Sequence, residues 1–250
     1  WVWLGLEGDD ASYTKLDGSD TKALVRRLQA HGIRVLGSTI IGLPEHSPDN
    51  IRAAIRHAVS HGTEFHQFML FTAIPGTPLH ADFNSKGVLA SEEHLAPADT
   101  HGQHRFNFIH PHIPPGEETH YLRQAFQHDF KVNGPSVLRI ARTLLRGWSR
   151  LGKHPDRRIR RRIGQEAKAI RFELSAALWA AERWFRREQP RQARRIRLLR
   201  RRIHQAFGLR ARLAGSFLGR WISMRLRREA RALAQGRVYE PPTFYERNAW

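Results

Sequence analysis

Three short apolar runs, at residues 2–6, 33–41 and 65–71, constrain the fold of this chain more than any other feature. The segments between them repeat apolar side chains every three or four residues, which is typical of amphipathic helices. An order of strand, helix, strand, helix, strand with short turns predicts parallel strands joined by crossover helices. Parallel strands are usually covered on both faces, which fits the nearly continuous apolar character of the three runs. We therefore expect an α/β arrangement over the first part of the chain.

Capping residues mark the ends of the two intervening helices. Asp20 precedes the first helical segment, and Gly32 follows it at a position typical of a helix C-terminus. Ser47-Pro48 is expected to open the second helix, and Gly62 is expected to end it.

The charge is divided unevenly along the 250 residues, whose formal net charge is +19. Residues 1–134 have 11 Lys and Arg against 15 Asp and Glu, whereas residues 135–250 have 31 against 8. The change falls at Gly134-Pro135, a pair that would also end a helix. Such asymmetry indicates a domain boundary. We predict an α/β region at 1–90, a His-rich connecting segment and helix at 91–134, and an Arg-rich, all-helical domain with an extended tail at 135–250.

The chain has no cysteine. Disulfide pairing, Cys-ligated zinc and an iron–sulfur cluster held by this chain are therefore excluded.

No run of about 18 apolar residues is present, and no charged leader precedes Trp1-Val2-Trp3-Leu4. We expect a cytoplasmic protein, with association with a membrane surface as the alternative. Because the chain opens on a strand without Met, we also expect it to be a piece of something longer.

The turns after the three predicted strands carry the candidate ligand site. In parallel α/β folds, ligands bind at the carboxyl ends of the strands. A carboxylate there can accept hydrogen bonds from ligand hydroxyl groups, and a glycine lets a flat ring approach the backbone. The alternative is that all three are ordinary turns. The residues at these ends are Glu7-Gly8, Gly42-Leu43-Pro44-Glu45 and Pro75-Gly76-Thr77-Pro78.

Residues 1–80 resemble the second half of a radical S-adenosylmethionine (radical SAM) barrel. The family pattern is a strand ending in Gly-x-Glu-Ser, a strand with Gly-x-Ile-x-Gly-x-x-Glu, and a strand leading into Pro-Gly-Thr-Pro-Leu. Gly8 replaces the usual Ser and Ser38 replaces the first Gly of the second motif. The last motif is most similar to the branch with an N-terminal cobalamin-binding domain. The matching segments are Gly5-Leu6-Glu7-Gly8, residues 38–45 and Pro75-Gly76-Thr77-Pro78-Leu79.

The resemblance implies a fold, a cofactor pocket and a set of residues. The fold is a partial radical SAM (β/α) barrel, its last parallel strands followed by the basic helical domain. Glu7 matches the position that contacts the ribose or amino group of S-adenosylmethionine. Ser38, Ile40 and Gly42 match the motif whose apolar residue packs against adenine, although Ile40 is equally expected as a plain core residue. The backbone at Phe71-Thr72 would border adenine.

The family's defining Cys-x-x-x-Cys-x-x-Cys loop is missing from this chain. In the family it holds a 4Fe–4S cluster that cleaves S-adenosylmethionine for radical chemistry, or for methyl transfer through cobalamin. The resemblance therefore implies a C-terminal fragment of such an enzyme, with the cluster ligands and the cobalamin domain in a missing N-terminal portion. The alternative is a degenerate relative without this chemistry. No residue of this chain is assigned as catalytic.

Histidines are the main candidates for residues that contact the substrate. Residues 101–112 contain four of them, and His104, Phe106, Phe108 and His110 alternate with other residues as in a strand. The spacing matches no metal motif, so no metal site is expected. Contact with an unknown substrate, or hydrogen bonding beside the barrel mouth, is the remaining interpretation. The candidates are His66, Gln67, His101 and His104.

The second half is predicted to be helical. A helix begins at Glu117-Glu118, and another follows Pro135 and breaks at Gly147-Trp148. Three basic segments then follow at 155–188, 190–207 and 209–234, each with an apolar stripe, and an aromatic tail at 239–245 is expected to dock on the body.

The Arg-rich helices leave three alternatives open. They are a solvated surface, a face for an anionic membrane, or a face for nucleic acid. Residues 135–250 contain 29 Arg and 2 Lys, a skew that favours the solvated surface. The rival to the enzyme is thus a non-catalytic basic helical protein that binds nucleic acid or an anionic membrane.

Overall fold

The computed structural model describes residues 1–6, 20–91, 99 and 104–237. Two residues of the candidate site, Glu7 and His101, lie outside the described residues, as does the aromatic tail at 239–245. The protein is a mixed α and β structure with three strands and seven helices in the described part. They are β1 (Val2–Gly5), α1 (Thr21–Ala30), β2 (Val35–Ile41), α2 (Ile51–Ser60), β3 (Phe65–Leu70), α3 (Pro78–Ser85), α4 (Glu117–Asn133), α5 (Ser136–Leu151), α6 (Arg157–Phe185) and α7 (Pro190–Ala234).

The three strands form one parallel sheet in the order β1-β2-β3. Trp3 pairs with Leu36, and Leu36 in turn pairs with Phe65. The predicted alternation of parallel strands and helices is therefore confirmed. The second helix starts later than expected, because Ser47 lies in a turn in which its amide donates to the Asn50 side chain, 2.8 Å away, before α2 begins.

One face of the sheet packs against helices and carries the core of this part of the chain. Thr39 and Ile41 of β2 point to this face, as do Phe68 and Leu70 of β3, which alternate with residues of the other face. Helices α1, α2 and α4 pack on the sheet. The buried cluster is Ile41, Ile51, Ile55, Ala58, Val59, Phe68, Leu70, Phe106, Phe108, Ile113, Tyr121, Leu122 and Ala125.

The expected helix break at Gly147-Trp148 is wrong. Helix α5 runs through Gly147 to Leu151. Gly147 is there because α5 meets the end of α1, and a Cβ built on Gly147 would lie 2.6 Å from the Cα of Gly32. Glycine in this helix thus allows a close approach of two backbones instead of ending the helix.

A buried polar network joins α4 and α5 to the loop before β3. The Arg139 guanidinium donates to both carboxylate oxygens of Asp129, at 3.1 and 2.8 Å, and to the carbonyl of Thr63 at 2.7 Å. Beside it, the Glu64 carboxylate accepts from the Val35 amide at 2.7 Å and from the Thr143 hydroxyl at 2.5 Å. Both carboxylates are buried and occupied by donors of the protein itself, so they are structural groups.

The chain divides into two compact units inside α6, at Lys168 and Ala169. In the second unit the backbone of α7 is non-helical at Gly208, whose φ is +76°. The three predicted basic segments are therefore confirmed as α6 and the two parts of α7, residues 190–207 and 209–234. Within this unit, Arg197 and Arg200 of the first part of α7 donate to the buried Glu182 of α6, at 2.9 and 3.0 Å.

Candidate functional site

The face of the sheet that is opposite to the core is open and apolar. The side chain of Trp3 is 62% exposed and that of Phe65 is 42% exposed. The Trp1 ring packs against the Phe65 ring at a centroid distance of 5.5 Å. Leu36, Ile40 and Met69 alternate onto the same face and are half-buried. Parallel sheets usually have both faces covered, whereas this face carries exposed aromatic side chains in the described part of the first unit.

Two residues of the S-adenosylmethionine pocket expected from the sequence lie on this open face. Ser38 and Ile40 are on β2, two residues apart, and alternation directs both away from the core cluster. Ser38 is buried, whereas Ile40 is half-buried. Ile40 pairs with Met69 near the carboxyl end of the sheet. The structure thus brings Ser38 and Ile40 together at the end where ligands bind in parallel folds.

Gly42, at the end of β2, is enclosed by side chains of the protein. Its φ is +80°, and a Cβ at this position would overlap the ring of Phe106. Its amide and that of Leu43 donate to Nδ1 of His46, at 3.0 and 3.1 Å. The flat ring that approaches this glycine is therefore the side chain of Phe106. A role for Phe106 could not be read from the sequence, because it lies far along the chain and in no recognised motif.

The segment after β3 is held by residues of the His-rich stretch. The Asn107 side chain donates to the carbonyl of Ala73 at 2.8 Å and accepts from the Ala73 amide at 3.1 Å. The Phe71 ring meets the Phe108 ring edge to face, at a centroid distance of 5.8 Å. The Thr72 hydroxyl donates to the carbonyl of Leu70 at 3.1 Å. The backbone at Phe71-Thr72 is therefore clamped beside the carboxyl end of the sheet.

His66 and Gln67 lie on opposite faces of β3. Gln67 is exposed on the open face, beside Ser38. His66 is buried on the helix face, where its Nε2 is 2.9 Å from the Thr39 hydroxyl and its ring stacks on Phe68 at 4.2 Å. Burial lowers the pKa of His66 to about 4. His66 is therefore neutral at physiological pH and does not face the same space as Gln67.

The ring of His110 hydrogen-bonds to three backbone groups. The Nε2 of His110 donates to the carbonyl of Leu43 at 3.0 Å, and its Nδ1 accepts from the amides of His112 and Ile113 at 3.1 Å. Burial lowers the pKa of His110 as well. The amide of His104 donates to Asp99 at 2.9 Å. Within the described ranges, no three His, Asp or Glu side chains are grouped so that they could hold a metal ion.

We expect the free energy of unfolding to fall below pH 6.5 because of His66. The unfolded chain binds a proton near the ordinary histidine pKa of about 6.5, whereas the folded chain binds it only near pH 4. The unfolded state therefore holds more protons between these values, and the native state loses stability as the pH falls. The expected loss at pH 4.5 is about 2 to 3 kcal/mol.

Urea unfolding of the wild type and of His66→Gln, at pH 7 and pH 4.5, measures this loss. The variant should lose correspondingly less between the two pH values. Equal losses in the two proteins would mean that His66 is protonated in the folded state and would contradict the prediction.

Comparisons with known proteins do not assign this chain to a family or a function. No protein-family model matches the chain, and no curated protein or solved structure matches it significantly. None of the described helices has the length and apolar character needed to cross a membrane. The function must therefore be inferred from the sheet and its open face.

Proposed function

We propose that this chain contributes the last parallel strands of a radical SAM barrel and one wall of its S-adenosylmethionine pocket. The observation that carries the proposal is the open apolar face of a sheet whose strands lie in sequence order. In doubly wound folds helices cover both faces and the strand order reverses. In a (β/α) barrel the strands follow one another, helices pack outside, and bulky apolar side chains fill the interior. The exposed Trp3 and Phe65 fit that interior.

The position of the pocket residues also supports the proposal. Ser38 and Ile40 lie on the open face, and Ile40 is at its carboxyl end. Barrel enzymes bind substrates and cofactors at this end. The Ile40 side chain would give an apolar surface to adenine, and the small, buried Ser38 lies two residues before it on the same strand. Gly42 would affect the pocket only through the shape of its turn, because Phe106 and His46 close that turn.

The iron–sulfur cluster does not fit this chain, which has no cysteine. Cluster ligands, and any cobalamin domain, would belong to another portion of the protein. The present residues would position S-adenosylmethionine and exclude water from its adenine. The unpaired edge of β1 in the described sheet is where a preceding strand would add.

The coding sequence upstream of Trp1 gives the first test. We expect an in-frame Cys-x-x-x-Cys-x-x-Cys about one hundred residues before Trp1, because three strand–helix units of about thirty residues would separate the motif from β1. A start codon close to Trp1 without cysteines would overturn the proposal and leave the basic helical protein as the alternative.

In the full-length protein with its cluster, Ile40→Gln should weaken the binding of S-adenosylmethionine about tenfold, because a polar amide replaces the apolar contact with adenine. Phe65→Gln is the matched control: it makes the same kind of change on the same face, but at the amino end of the strands. Equilibrium dialysis measures both dissociation constants, and circular dichroism checks the fold. Equal effects of the two substitutions, or none from Ile40→Gln, would contradict a site at the carboxyl end.

A further inference from the structure

The second part of α7, residues 209–234, packs on α6 through its smallest residues. Gly215 and Gly219 are buried. A Cβ on Gly215 would overlap the Ser175 side chain, and a Cβ on Gly219 would lie 2.9 Å from the Cβ of Trp179. The two glycines are four residues apart and so share one face of the helix. This contact sets the rotation of the helix about its axis and hence which side chains its opposite face exposes.

The opposite face presents large apolar side chains to solvent. They follow one another at intervals of four, four, four and three residues, which places them in one row along the helix. Each is more than half exposed: Leu209 65%, Leu213 62%, Phe217 76%, Trp221 52% and Met224 63%. We call this row the apolar stripe. Exposed apolar patches of this kind mark interaction sites.

Arginines surround the apolar stripe. Residues 209–237 contain eight Arg and one carboxylate, Glu229. The Arg225 guanidinium lies over the Trp221 ring, 5.2 Å from its centroid. At the end of the stripe, Arg227, Arg228 and Arg231 line a surface cavity of about 450 Å³ next to Met224. We call these three residues the arginine cluster, and among the described residues none of the three forms an ion pair.

We propose that the apolar stripe and the arginine cluster bind the surface of a membrane that contains anionic lipids. A helix with a row of Leu, Phe and Trp and a polar face rich in Arg lies in the membrane interface, with its apolar side chains among the acyl chains. Guanidinium groups bind phosphate through paired hydrogen bonds. The cavity beside Met224 puts three such groups next to the apolar row, so that one lipid can contact both. This proposal is independent of the radical SAM proposal.

Charge decides between this partner and the two others that the surface could accept. A parallel second copy of the helix would bring the two arginine clusters together, and an antiparallel one would set each cluster against Arg210 and Arg212 of the other copy. Like charges across an interface are unfavourable. Nucleic acid would pair with the arginines and could stack on Trp221. It would leave Leu209, Leu213 and Met224 in water. Of these three partners, only an anionic lipid surface matches the charge and covers the stripe.

Co-sedimentation of the full chain with lipid vesicles tests the proposal. The probes are phosphatidylcholine vesicles with and without about 30% phosphatidylglycerol. We expect binding only to the anionic vesicles. Phe217→Gln/Trp221→Gln should weaken it at least about tenfold. Ile109→Gln/Leu198→Gln, which alters two exposed apolar side chains outside the stripe, should change it less than about twofold.

A second pair of variants isolates the arginine cluster from net charge. Arg227→Gln/Arg228→Gln/Arg231→Gln should weaken binding about one hundred-fold. Arg187→Gln/Arg191→Gln/Arg194→Gln removes the same charge from other exposed positions of the same unit and should weaken it less than about tenfold. All substituted side chains are exposed, and circular dichroism confirms that the helices remain.

Four outcomes would overturn the proposal. One is no binding to anionic vesicles. Another is an equal loss in the two arginine variants, which would indicate only non-specific attraction. A dimer in solution that Phe217→Gln/Trp221→Gln abolishes would assign the stripe to a second copy. Tighter binding of a single-stranded oligonucleotide than of vesicles, lost in the same variant, would assign it to nucleic acid.

Discussion

Asp129→Ala is expected to lower the free energy of unfolding by about 3 to 5 kcal/mol. Asp129 and Arg139 are both buried, and the guanidinium donates to both oxygens of the carboxylate. Removal of Asp129 leaves the positive charge of Arg139 in the interior without a counter-charge, which is costly because of desolvation. The same guanidinium donates to the carbonyl of Thr63 just before β3. The loss of packing should therefore extend to the sheet.

Urea unfolding monitored by circular dichroism measures this change. Asp82→Ala is the matched control, since Asp82 pairs with Lys86 at 2.7 Å while both side chains are largely exposed. The control should change the free energy of unfolding by less than about 0.5 kcal/mol. If Asp129→Ala were as mild as the control, Arg139 would have to reach water, and the buried network would be misassigned.

Gly42→Ala is expected to lower the free energy of unfolding by about 3 kcal/mol. The left-handed backbone at this residue costs an alanine about 1 kcal/mol, and its Cβ would overlap Phe106, which adds about 1 to 3 kcal/mol. The Phe106 ring cannot move aside freely, because it stacks on His110 at 5.1 Å and packs on Phe108 at 5.2 Å.

Gly76→Ala separates the two contributions. Gly76 has nearly the same φ, +82°, but a Cβ there would have no atom within 4 Å. It should therefore cost only the backbone contribution of about 1 kcal/mol. Thermal unfolding of the two variants gives the difference directly. Equal destabilisation would show that only the backbone conformation requires glycine at residue 42, and that the contact with Phe106 does not.

Much of the local structure could be predicted from the sequence. Strand and helix order follow from apolar periodicity, which depends on neighbours three or four residues away. The break in α7 follows from Gly208, where the backbone takes a conformation that other residues avoid. The predicted break at Gly147 is wrong because the same residue type can end a helix or allow close packing, and only the partner, Gly32, distinguishes the two.

The candidate site was only partly predictable. Alternation along β2 already puts Ser38 and Ile40 on one face, because side chains on a strand alternate with a period of two. The sequence could not tell which face would be open, since both faces of these strands are apolar. The roles of Phe106 and His110 at the end of β2 could not be predicted either. Phe106 contacts Gly42 and His110 contacts Leu43, and each pair is more than sixty positions apart in the chain.

The sequence by itself determined the segments that become strands and helices, the uneven division of charge, and the absence of a cluster held by this chain. These properties depend on composition and on short spacings along the chain. The tertiary structure decided which face of the sheet stays open, where residues 104–112 lie, and which side of the second part of α7 turns outward. Each of these depends on steric contacts between distant residues, such as Gly215 against Ser175, which no local pattern specifies.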